Sequence, residues 1–109
     1  MPGNSGLGAE SIKQFAKHNP AEIWLAARTR STAESTVADV QKDVPNANIT
    51  VVELDLGSFE SIKKAAAKFN SSAKRLDILL LNAGIAFSSP GLTTEGYEIQ
   101  FGTNHMVRR

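Results

Sequence analysis

Cysteine is missing from all 109 residues. Its absence excludes a disulfide scaffold, a thiolate metal site and a cysteine nucleophile. Excess charge is also missing: 12 Lys and Arg stand against 11 Asp and Glu, a net +1. Without a large positive field, no nucleic-acid partner is expected. No apolar run nears the roughly 18 residues that a membrane span needs; Ile78-Leu79-Leu80-Leu81 is among the longest. The two histidines, His18 and His105, are far apart, and neither has a carboxylate at ligand spacing, so no metal site is expected. The first residues are uncharged and glycine-rich. They show no export or transit signal, and a cytoplasmic location is the expectation.

What remains is a chain of ordinary globular composition, 41% apolar, with room for one domain and a modest core. Helix and strand patterns alternate along it. Leu7, Ile12, Phe15 and Ala16 share a helical face that Asn19-Pro20 ends. Ile23-Trp24-Leu25-Ala26-Ala27 reads as a short buried strand. Ser31 with Glu34 has capping-box spacing ahead of a helical stripe of Val37, Val40 and Val44, which Pro45 closes. Ile49-Thr50-Val51-Val52-Glu53-Leu54 is a β-branched second strand. Ser58 caps a third helix whose inner face carries Phe59, Ile62, Ala66 and Phe69. Ile78-Leu79-Leu80-Leu81 reads as a third strand, covered on both faces. A last helical segment surrounds Tyr97, Ile99, Phe101 and Met106. Such alternation predicts an α/β fold, a doubly wound parallel sheet of Rossmann type.

Gly3-Asn4-Ser5-Gly6-Leu7-Gly8 opens the first helix. Glycines allow close backbone approach, and a helix N-terminus offers free N–H groups, a pairing suited to a pyrophosphate. An ordinary flexible N-terminus is the alternative. The segment resembles the T-G-x-x-x-G-x-G motif of the short-chain dehydrogenases/reductases, with Gly6 and Gly8 as its last two glycines. Asp55-Leu56, after the second strand, matches that family's adenine-contacting aspartate. Asn82-Ala83-Gly84 matches its N-N-A-G motif, with Leu81 in the first place. Asn104 matches the asparagine of its catalytic tetrad. The wording is most similar to the retinol-dehydrogenase-like and fungal branch.

The resemblance implies a dinucleotide held beyond the carboxyl ends of the strands, where Arg28, Asp55 and Asn82 all fall. An acidic residue at the end of the first strand would hold ribose hydroxyls; Ala27 and Arg28 stand there instead. A guanidinium suits a 2′-phosphate, so the expected coenzyme is NADP rather than NAD. A solvated arginine is the other reading, and Arg30 fits it. The substrate implied for the full-length relative is a small hydrophobic carbonyl or alcohol.

Three departures qualify the match. The family's first strand, central in the order 3-2-1-4, is missing, and Pro2 stands where the tight turn needs a glycine. The pattern stops at Val107-Arg108-Arg109, which reads as a truncated or misread gene product or as a natural stop. The sole tyrosine, Tyr97, has Phe101 where Tyr-x-x-x-Lys needs a lysine, and reads as a packing residue. The expectation is therefore residues 1–109 as a partial dinucleotide-binding domain, inactive and weak for its coenzyme. Two alternatives stay open: an interaction module that associates with itself or a relative through an open sheet edge, and a chain that does not fold alone.

Overall fold

The computed structural model describes residues 6–108. The chain divides into two compact units, Met1–Glu53 and Leu54–Arg109.

In the first unit, α1 (Gly6–Ala16) leads to β1 (Ile23–Ala27), α2 (Arg30–Asp43) and β2 (Ile49–Glu53). The helix α1 buries Ile12 and Ala16 on one face, while Phe15 sits at its rim and Leu7 is exposed, contrary to its expected place on that face. Backbone bonds from Lys17, His18 and Asn19 to the carbonyls three residues back wind α1 down. Asn19 then takes φ +53, a left-handed conformation that Asn tolerates better than most residues. Pro20 follows and cannot continue a helix.

The strands β1 and β2 pair in parallel, from Ile23 opposite Ile49 to Ala27 opposite Glu53. Side-chain bonds support the entry edge. Thr50 Oγ1 donates to Glu22 at 2.6 Å, and Asn48 Nδ2 donates to the Ala21 carbonyl at 3.0 Å. The core joins Ile12, Ala16, Leu25, Ala27, Ala33 and Val40, with Val37, Val44, Ile49 and Val51 packed against it. The valine stripe of α2 thus faces inward as its spacing predicts. Its start differs from expectation. The N-cap is Thr29, in extended conformation, and Glu34 pairs with Arg30 at 3.0 Å rather than closing a capping box with Ser31. The helix begins before Ser31, so that residue's N–H lies within the first turn.

In the second unit, α3 (Phe59–Ser72), α4 (Ile99–Asn104) and a turn of 3-10 helix (Met106–Arg108) are the regular elements. Ser58 caps α3 as expected, its Oγ accepting from Ser61 N. Phe59, Ile62 and Phe69 are half-buried, while Ala66 is exposed.

The expected third strand does not form. Residues 78–81 pair with no other strand among the described residues, and their side chains are 52–67% exposed. A strand exists only where a neighbour takes up its N–H and C=O groups. In the order 3-2-1-4 that neighbour is the strand running into the glycine turn, and no such strand stands among the described residues. The result is α/β with a two-stranded parallel sheet, and an apolar sequence that reads as buried lies open.

These burial states predict opposite outcomes for two leucines. Leu25, only 1% exposed, is expected to lose about 2–5 kcal/mol on Leu25→Ala. For Leu79→Ala the change should stay within about 0.5 kcal/mol, since Leu79 meets little protein. Urea denaturation of the two variants checks both; an equal loss would place Leu79 inside a core.

Candidate functional site

The expected site residues leave from the ends of elements. Gly3, Asn4 and Ser5 lie outside the described residues. Gly6 takes φ +53, which a side chain would disfavour, and starts α1. Leu7 is exposed and Gly8 buried. No acidic residue stands in the first turn of α1.

Arg28 is the residue after β1, at the carboxyl edge that the parallel register defines. Its side chain is exposed and forms no ion pair among the described residues, whereas neighbouring Arg30 is engaged by Glu34.

Asp55 lies two residues past β2, in the second unit. Its Oδ1 accepts from Gly57 N at 2.8 Å, and its own N–H donates to Ser61 Oγ at 2.9 Å. Such an Asx turn fixes the carboxylate while leaving the residue exposed. Leu56 beside it is half-buried.

Asn82, Ala83 and Gly84 are half-buried and follow the open apolar segment. Next in the chain, Ile85 is gripped by Asn104. Ile85 N donates to Asn104 Oδ1 at 2.8 Å, and Asn104 Nδ2 donates to Ile85 O at 2.7 Å. The amide reproduces the pairing of a strand neighbour at one residue. Asn104, expected among the catalytic residues, makes one bond from each amide atom to the Ile85 backbone.

The element that carries Asn104 has its own device. The Glu98 carboxylate accepts from Gln100 N at 3.0 Å and from Phe101 N at 2.8 Å, capping α4. Those bonds hold Glu98 below the ordinary carboxylate value. Ahead of it, residues 91–99 fold into a hairpin, with Thr93 N donating to Tyr97 O at 2.8 Å and Ile99 N to Gly91 O at 2.9 Å. Tyr97 packs its ring against Phe59, centroids 6.0 Å apart, as a packing residue would.

Sequence reasoning misses Glu98, Glu95 and Gly102. A glutamate is a rare N-cap, and the long-range partner of Glu95 leaves no trace in spacing. A glycine inside α4 was the one visible signal. At Gly102 a Cβ would run into the Thr93 side chain, so only glycine lets the helix lie on the hairpin.

Residues 2–104 match the family model for short chain dehydrogenase. The chain belongs to the short-chain dehydrogenase family. Retinol dehydrogenase 12 of Mus musculus is 34% identical over 103 residues, which is 94% of this chain and 32% of the relative. A short-chain dehydrogenase/reductase of Armillaria gallica is 39% identical over 103 residues, 94% of this chain and 33% of the relative. The chain thus spans about a third of the curated relatives it matches. Among solved structures, a short-chain dehydrogenase from Sphingobium yanoikuyae in complex with NADPH overlays with a TM-score of 0.76 at 23% identity, covering 98% of this chain and 44% of that one. At that identity the likeness is one of fold. It agrees with the α/β Rossmann class expected from the alternating elements. No helix among the described residues is long and apolar enough to cross a membrane.

Two outcomes follow for this member of the family. Asn104→Ala strips the partners from both polar groups of half-buried Ile85 and should cost about 1–2 kcal/mol, read by urea denaturation. Glu98 is ordinarily at 4.5 and is lowered in the fold, so its cap is fully formed above that value. Stability from the cap is lost as pH falls through the lowered folded value. The Phe101 amide proton should therefore titrate with a midpoint below 4.5 by NMR, and the Glu98→Gln variant should show no such step.

Proposed function

We propose that this chain is the coenzyme-side portion of an NADP-dependent oxidoreductase. Membership of the short-chain dehydrogenase family over residues 2–104 carries that reading. When bound, the coenzyme would give a hydride from its reduced nicotinamide to the carbonyl of a small hydrophobic substrate or, when oxidised, accept one from the corresponding alcohol. In this reading the amides at the start of α1, with Gly6 and Gly8, receive the pyrophosphate. The Asp55 carboxylate accepts from the adenine amino group while the Leu56 backbone lies against the ring. Asn82, Ala83 and Gly84 leave space for the coenzyme, and Asn104 keeps that loop in place from behind.

The residues fit a phosphorylated dinucleotide on one point above all. Arg28 is an exposed cation with no carboxylate paired to it among the described residues, at the strand end where a NAD site carries an acid. The solved neighbour named for its NADPH is in keeping with this. Turnover is not expected of these residues alone, because Tyr97 packs on Phe59 and no lysine stands four residues after it.

A second reading rests on the exposure of residues 78–81. An open apolar segment can add to a strand of another copy or a relative, and size-exclusion chromatography showing only monomer would remove this reading.

Calorimetric titration of the 109-residue chain tests the first reading. NADPH should bind more weakly than low-micromolar, because Pro2 occupies the first glycine position and no central strand stands among the described residues. It should still bind about tenfold better than NADH, the worth of one charge-assisted bond. The Arg28→Glu variant should lose that preference. Equal binding of both coenzymes by the unmodified chain would overturn the choice of NADP.

A further inference from the structure

We propose that Glu95 is a positioning residue for the coenzyme's adenine side, acting through a strap, residues 91–104, that holds both loops assigned to the coenzyme. The proposal rests on the coenzyme reading above and adds to it a residue that touches no ligand.

One end of the strap grips the Asp55 turn. Glu95 Oε1 accepts from Phe59 N at 2.7 Å across 36 residues of sequence. Thr94 N donates to the Gly57 carbonyl at 2.9 Å. Tyr97 lies against the Phe59 ring. These contacts take the residues flanking Ser58, immediately after Asp55 and Leu56. By contrast, the bonds that Asp55 itself makes are local, to Gly57, Ser58 and Ser61. Local bonds shape the turn; they do not say where it points.

The other end grips the Asn82 loop, through the paired bonds of Asn104 to Ile85. Between the ends the strap is bonded and packed upon itself. Thr93 is buried, and its Oγ1 accepts from Tyr97 N at 3.2 Å. Gly96 turns the hairpin at φ +85, and Gly102 N donates to Glu98 O at 2.7 Å. Gly102 is buried against the Thr93 side chain with no room for a methyl group. A self-bonded segment with an anchor at each end ties the two anchored loops to one another. Glu95 is the anchor whose side chain can be removed without touching Asp55, Leu56, Asn82 or Gly84.

Two variants of the full 109-residue chain test this, Glu95→Ala and Glu95→Gln. Amide hydrogen exchange is read in the free protein, and titration with 5′-AMP reads the adenine side, with nicotinamide mononucleotide for the other. Glu95→Ala should speed exchange at Gly57 and Phe59 and weaken 5′-AMP, each by about five- to tenfold, the net worth of one hydrogen bond. Nicotinamide mononucleotide should be unaffected. Glu95→Gln keeps an acceptor oxygen and should restore most of both effects. Unchanged exchange at the turn, or equal losses for the two ligands, overturns the proposal, the latter as general loosening. If the unmodified chain binds 5′-AMP and the Glu95→Ala variant binds it equally well, the proposal alone falls. If the unmodified chain binds no 5′-AMP, the coenzyme reading falls and takes the proposal with it.

Discussion

Every extended segment of this chain depends on finding a neighbour for its backbone, and that requirement sorts its structure. β1 and β2 find each other in parallel register. With α1 and α2 they enclose Leu25, Val40, Ile12 and their neighbours. Residues 78–81 carry a more apolar sequence than either strand and find no ladder among the described residues. Hydrophobicity supplies the drive to bury a segment, but hydrogen-bond pairing decides whether it is a strand. In the order 3-2-1-4 the neighbour of residues 78–81 is the strand that leads into the glycine turn, and none stands among the described residues.

The second unit meets the same requirement differently. Among the described residues it has no ladder of its own beyond the single antiparallel bridge of Leu92 and Glu98. Side chains satisfy the backbone there instead, with Ser58 and Glu95 at the start of α3, Glu98 at the start of α4, and Asn104 at Ile85. Several of these bonds join residues near in sequence; those of Glu95 and Asn104 bridge distant segments and hold loops that fall in family motifs. Membership of the short-chain dehydrogenases explains why those loops are present. The spacing of the bonds explains how they keep their form.

Much of this is legible in the sequence. Alternation of helical and strand patterns is a local property, so the α/β class, the two paired strands and three of the four helices follow from spacing and from Pro20, Pro45 and Ser58. The helix α4 is visible only as a helical tendency around Tyr97 and Ile99, and its true start depends on the Glu98 carboxylate. Chain order alone also places Arg28 after β1, Asp55 after β2 and Asn82 after the apolar run. Two local signals mislead. Ser31 with Glu34 has the spacing of a capping box, yet Thr29 starts the helix and Arg30 takes the glutamate. Leu7 fits the apolar face of α1 and is exposed, because a helical face is buried only where something packs against it.

Residue types and their order determined by themselves the fold class, the family motifs and the exclusion of disulfide and thiolate chemistry, since each depends on neighbours a few positions apart. Tertiary structure alone decided that the third apolar run stays open and that Asn104 spends its amide on Ile85. It also decided that Glu95 reaches Phe59 and that Gly102 must lack a side chain beside Thr93. Those outcomes turn on which groups meet across tens of residues, and no periodicity encodes the identity of a distant partner.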